Sequence, residues 1–187
     1  PGGRDKEGRV LTLGFDSMLV GPQHKPRLDW LRKQFAKVGV EFQPRSTDYS
    51  QFQEKVLKGN FQMLIWGWNA DYPDPENFLF LLYGPNGKVR SQGENASNYE
   101  NARYDELFRR IENMAPSAER DGLIRDMLGI LREDAPWIWG YHPTAYGLYH
   151  SWYRNMKPMA FGRNTLQYRR VDPVTRARQR EGWNRPM

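Results

Sequence analysis

The first part of the chain alternates three short apolar runs with two helix-length segments, each opened by a start signal and closed by a glycine. Val10 to Phe15 alternates, with Leu11, Leu13 and Phe15 on one face, which is the period of a half-buried strand. Pro26 opens a stretch in which Leu28, Leu31, Phe35 and Val38 recur at helical spacing, and Gly39 is placed to end it. Val40 to Gln43 is a second short strand. Asp48, followed by Gln51, forms a capping pair for a helix carrying Tyr49, Phe52 and Val56 or Leu57, closed by Gly59. Phe61 to Trp68 is the third strand. Helices between successive strands demand parallel pairing through right-handed crossovers. If the third strand lies beside the first, the order is 2-1-3, and a crevice opens at the carboxyl ends of strands one and three. The expected class is therefore α/β, a βαβαβ unit with a mostly parallel sheet flanked by helices.

Pro75 to Leu82 reads as a helix with Asp74 as its N-cap, Pro75 at its first position and Glu76 in its first turn. Residues 84 to 100 carry Gly84, Pro85, Asn86, Gly87 and Gly93 and read as a long polar loop, of the kind that is usually mobile or functional. A helix from about Tyr104 to Met114 and another from Ser117 to Asp134, halted by Pro136, read as an antiparallel pair covering the sheet. Trp137 to Tyr141 and Thr144 to Tyr149 are strand-like and aromatic, joined at His142-Pro143. From Tyr153 onward the pattern fades, apart from a short run at Thr165 to Val171, into an irregular Arg-rich tail with no expected core.

Charge and missing residue types narrow the function. The formal charge of +6 is concentrated in residues 169 to 187, where six arginines face only Asp172 and Glu181. No basic stripe interleaves with aromatics at the spacing of a nucleic-acid module, so a solvated or docked tail is the better reading, with an interaction module built on that tail as an alternative. The absence of cysteine excludes disulfides, thiolate metal sites and cysteine nucleophiles. His24, His142 and His150 stand apart from other ligand types, so no metal site is expected. Neither a phosphate-binding glycine loop nor a nucleophile elbow is present, and neither a catalytic residue nor a cofactor is assigned. No run approaches the length of a membrane-spanning helix, and the opening PGGRDKEGR, feeding straight into a strand, reads as a cut made inside a longer protein.

The third strand runs into NADYPDPENF, which holds Asp71, Asp74 and Glu76. Paired carboxylates suggest general acid and base work, so a glycoside-acting enzyme using Asp71 and Glu76 is one reading. Helix capping accounts for Asp74, and a favourable interaction with the helix dipole accounts for Glu76. Asp71 lies too early to cap that helix. A carboxylate flanked by Trp68 and Tyr72 is costly to desolvate without a cationic or hydrogen-bonding partner, which makes Asp71 the leading ligand contact, with bonding to loop amides as the structural alternative. Alternation places Trp66 and Trp68 on one face, Trp66 and Trp137 being assigned to the core and Trp68 divided between core and ligand wall.

GWNADYPDPENFL, NYENARYDELF and REDAPWIWGYHP together resemble the C-terminal region of the family 5 extracellular solute-binding proteins, the peptide- and nickel-type receptors of ABC importers. The similarity runs in order from about Val10 to Lys157. It implies a periplasmic-binding-protein-like lobe over residues 1–160, the second lobe of a hinged two-lobed trap, with residues 161–187 returning to the first lobe. It further implies a receptor without catalysis, periplasmic or tethered outside a Gram-positive membrane, whose partners are a peptide or similar solute, a membrane permease and the first lobe. In peptide-binding members the aspartate at the position of Asp71 pairs with the peptide α-ammonium, and the tryptophan at the position of Trp68 packs on the peptide backbone. The expected ligand-binding residues are thus Asp71, Trp68 and Tyr72.

Overall fold

The computed structural model describes residues 7–157 and 165–182, so the expected boundary between residues 160 and 161, and Arg185 in the tail, lie outside the described residues. The chain divides into two compact units, Pro1–Asn69 with Asp74–Trp137, and Ala70–Pro73 with Ile138–Met187.

The first unit opens with the expected βαβαβ: β1 (Leu11–Ser17), α1 (Lys25–Lys37), β2 (Val40–Ser46), α2 (Tyr49–Lys58) and β3 (Met63–Leu64). All three strands pair in parallel, in the order β2-β1-β3, with Leu11 opposite Val40 and Ser17 opposite Ser46. Pro44, which has no N–H to donate, is tolerated because β2 is the edge strand. Crossovers of one hand that step out to β2 and then back past β1 place their helices on opposite faces. On one face Phe15, Phe42 and Phe35 of α1 form a ring stack with centroids 5.0 and 4.7 Å apart. On the other, Phe52 and Val56 of α2 are buried with Ala96, against Leu64 and Trp66. The helix-ending signals act as expected. The Asp48 side chain accepts from the Gln51 amide, and Gly59 closes α2 in the left-handed region at φ 69°.

Two expectations about the sheet and its cover are corrected. The third strand is two residues long rather than running from Phe61 to Trp68: Met63 and Leu64 pair with Phe15 and Asp16, and β1 ends one residue later at Ser17. The helical pair α5 (Ala102–Ile111) and α6 (Ala118–Asp134), capped by Asn101 and Ser117, does not cover the sheet. Its buried side chains, including Tyr104, Leu107, Phe108, Ile111, Leu123, Met127 and Leu131, enclose Leu79 and Leu82 in a cluster that holds no sheet residue. Each such burial contributes about 1.5–3 kcal/mol, so this cluster can sustain a core of its own. Trp137 packs against it, as assigned.

The polar segment 84 to 100 is also folded rather than open. After the short helix α3 (Glu76–Leu79) and a 3₁₀ turn at Phe80–Leu82, a second 3₁₀ turn at Gly84–Asn86 and α4 (Lys88–Ser91) wrap around Asn95, which is fully buried at 0% exposure. The Asn95 amide nitrogen donates to the carbonyls of Tyr83 (3.2 Å) and Tyr99 (2.9 Å), while its Oδ1 accepts from the Ser97 hydroxyl (2.9 Å) and the Tyr99 amide (3.3 Å). Lys88 and Arg90 pair with Glu94 and Glu100.

In the second unit neither Trp137–Tyr141 nor Thr144–Tyr149 forms a strand. Neither joins a ladder, and Tyr146 is 90% and Leu148 96% exposed. Beyond them β4 (Tyr153–Arg154) pairs antiparallel with β5 (Arg170–Val171), and α7 (Pro173–Arg180) follows, an unexpected helix with no buried residue. Asp172 explains it. Its carboxylate accepts from the Thr175 amide and hydroxyl and from Arg154, which holds its pKa well below the usual carboxylate range.

Candidate functional site

The chain leaves β3 with one last sheet bond, from the Ile65 amide to the Asp16 carbonyl (3.3 Å). Beyond it the strand alternation no longer governs the side chains. Trp66 stacks on Phe52 of α2, with ring centroids 5.6 Å apart, whereas Trp68 turns to α3. There its indole N–H donates to Oδ1 of Asn77 (3.2 Å) and its ring meets Phe80 edge-on at 5.4 Å. The two tryptophans therefore do not share a face as expected, because the strand that was to align them has already ended. Trp68 remains half-buried.

Asp71 and Tyr72 are both exposed and lie in Ala70–Pro73, which belongs to the second unit, while Trp68 belongs to the first. Asp74 is back in the first unit, and its two oxygens are committed. Oδ1 accepts from the Glu76 amide (2.8 Å), the capping bond expected of it, and its carbonyl accepts from the Asn77 amide (3.1 Å). The same carboxylate takes a two-pronged bond from Arg120 of α6, at 2.7 and 3.0 Å. Arg120 is only 4% exposed and spends its remaining Nε–H on the Ile111 carbonyl (3.1 Å). The Arg120 guanidinium, opposed in part by burial and helped by the Glu76 amide, holds Asp74 below the usual carboxylate range. Such a fork-on-carboxylate pair is among the stronger and more directional polar contacts a protein makes.

Two charged residues escaped sequence reasoning. Arg120 falls on the apolar stripe of α6 at helical spacing with Leu123, Met127 and Leu131, and a cation in that stripe is the signal that could have found it. Asp16, at 1% exposure, sits in the sheet between Arg45 of β2 (2.5 Å) and Lys55 of α2 (2.7 Å). Gly14 makes room for that arrangement, since a Cβ there would stand 2.5 Å from the Arg45 guanidinium. Ser17, the last residue of β1, is buried and bonded to Ser46 through their hydroxyls (3.2 Å). Among the described residues no group of His, Asp and Glu is arranged to hold a metal ion, and no helix is long and apolar enough to cross a membrane.

Residues 5–89 match the family model for bacterial extracellular solute-binding proteins, family 5 Middle. Di/tripeptide-binding protein 3 of Pseudomonas aeruginosa is 26% identical over 162 residues, 86% of this chain and 30% of the relative. Heme-binding protein A of Haemophilus influenzae is 26% identical over 125 residues, 67% of this chain and 22% of the relative. An ABC transporter-associated periplasmic binding protein from Helicobacter pylori, solved with a bound peptide, superposes with a TM-score of 0.58 at 22% identity, over 67% of this chain and 24% of that one. The fold is thus that of the periplasmic binding proteins, and the chain is similar over part of its length to the family 5 solute-binding proteins. It spans about 30% of the length of the first of these relatives.

Proposed function

We propose that this chain is most of the second lobe of a two-lobed receptor that captures short peptides, or similar amine-bearing solutes, and delivers them to an ABC-type permease outside the cytoplasmic membrane. Residues 1–160 form the lobe, residues 161–187 return to the first lobe, and no bond is made or broken in the ligand. Asp71, Trp68 and Tyr72 are the ligand-binding residues.

The observation that carries this reading is the separation of duties within one acidic turn. Asp74 is consumed by Arg120 and by the first amides of α3. Asp71, three residues earlier, stands exposed. A carboxylate delivered just past a parallel strand is suited to an ammonium group, because a charge-assisted hydrogen bond strengthens when a closing lobe removes water. Tyr72 and Trp68 add aromatic surface that lowers the local dielectric and packs on a peptide backbone. The relatives' names include di/tripeptides and heme, so the shared fold does not select the ligand; the carboxylate is what favours an amine. Closure of the two lobes would then select the ligand-bound form that the permease reads.

Calorimetric titration of a dipeptide or tripeptide into the two-lobed protein tests this. Asp71→Asn is expected to raise Kd by about 10- to 100-fold, the value of one charged hydrogen bond, with the far-UV circular dichroism unchanged. An unchanged Kd would overturn the assignment of Asp71.

A further inference from the structure

Trp68 is a half-buried aromatic on a stretch of chain that has left its sheet, yet its indole is held by Asn77 of α3 and by Phe80 of the 3₁₀ turn that follows it. One of them, Asn77, is 3% exposed, and it points its Oδ1 at the indole N–H. The Asn77 amide is itself bonded to the Asp74 carbonyl (3.1 Å), and the Asp74 carboxylate is clamped by Arg120. Arg120 is anchored in turn on the carbonyl of Ile111, the last residue of α5. A continuous run of polar contacts therefore leads from the junction of α5 and α6, through the acidic turn and the first turn of α3, to the indole of Trp68. Every member lies in the first unit.

We propose that Asn77 and Arg120 are positioning residues for ligand binding, Asn77 by fixing the indole of Trp68 and Arg120 by fixing, through Asp74, the turn from which Asn77 reaches it. This rests on Trp68 being a wall of the ligand site. A four-residue helix has little stability of its own, since a helical nucleus costs more than one turn of hydrogen bonds returns. The α3 segment therefore takes its position from what it is tied to. The planar fork of Arg120 supplies that tie with fixed direction as well as attraction, which a lysine ammonium would not. The helix pair thus reaches the ligand wall without touching the ligand, and it does so through a hydrogen bond to the one polar atom of the indole.

The indole N–H resonances of Trp66 and Trp68 separate the positioning role from general destabilisation, because Trp66 stacks on Phe52 in the other cluster. In ¹H–¹⁵N spectra of this chain, with Trp68→Phe assigning the peak, Asn77→Leu is expected to shift the Trp68 indole N–H and speed its hydrogen exchange by about tenfold or more. Asn77→Asp, which keeps the acceptor, is expected to restore protection. Arg120→Met and Arg120→Lys are expected to have the same effect as Asn77→Leu, with Lys the milder. The Trp66 signal is expected to stay in place throughout. A Trp68 signal indifferent to Asn77→Leu, or Trp66 and Trp68 moving together in every variant, would overturn the proposal. In the two-lobed protein Asn77→Leu is expected to weaken dipeptide binding about tenfold and Asn77→Asp to recover it. If the indole responds but binding does not, Trp68 is not a ligand wall; if Asp71→Asn alone leaves binding intact, the assignment of Asp71 fails while the indole result stands.

Discussion

Asp71 and Asp74 sit three residues apart in one turn and differ in burial, Asp71 being exposed and Asp74 half-buried. Asp74 meets a buried guanidinium whose Nε–H is spent on a backbone carbonyl, so removing the carboxylate leaves a desolvated cation short of acceptors. Asp74→Asn is expected to lower unfolding stability by about 2 kcal/mol at neutral pH, as read by urea denaturation. Because the pair depresses the folded-state pKa of Asp74, its contribution is complete above the ordinary carboxylate value and is lost as pH falls through the lower folded value. The gap between wild type and Asp74→Asn should accordingly be constant from about pH 7 to pH 5 and narrow below about pH 4. A gap that widens on acidification would contradict the pairing. The capping role of Asp74 was legible from DPEN alone, since it depends on neighbours in sequence. Arg120 lies far along the chain, and no local pattern could join the two.

Elements followed their sequence signals where the signal was local and departed from them where a partner was needed. The helices α2, α5 and α6 carry their own caps, all four helices with α1 carry apolar residues at helical spacing, and each forms within about three residues of its expected bounds. Strands need a neighbour to bond to. The run from Phe61 to Trp68 has the composition of a strand, but only Met63 and Leu64 join the sheet; Trp137–Tyr141 and Thr144–Tyr149 form no ladder. The segment from 84 to 100 departs in the other direction, being ordered by the side chain of a single asparagine. Asn95→Ala removes bonds to two carbonyls and an amide in a buried place, at a cost of about 3 kcal/mol. Limited trypsin digestion is expected to cut Asn95→Ala at Lys88 or Arg90 before any other site and to spare those sites in the wild type. Equal resistance in both would show that Ala96 and its apolar neighbours order the segment without Asn95.

Across the whole molecule apolar burial is uneven. The first unit holds two clusters of buried side chains, one around Tyr104 and Met127 and one around Phe52 and Val56. In the second, among the described residues, Trp152 is the buried apolar side chain, stacked on His150 at 4.1 Å. Hydrogen exchange followed by mass spectrometry is expected to show amides of β1, α5 and α6 exchanging at least about a thousandfold slower than those of residues 138–149, which lack ladder partners. Comparable protection in the two regions would overturn that ranking. The sequence by itself determined the α/β class, the parallel βαβαβ pattern, most helix ends and the prominence of Asp71, because each depends on periodicity, capping or connectivity that is written locally. Only the tertiary structure decided how long the third strand would be, that Trp66 and Trp68 would part, that a helix pair would build its own core, and that Arg120 would claim Asp74. Those outcomes depend on which groups meet across long stretches of chain, and a hydrogen bond or a buried charge is favourable only where its partner stands.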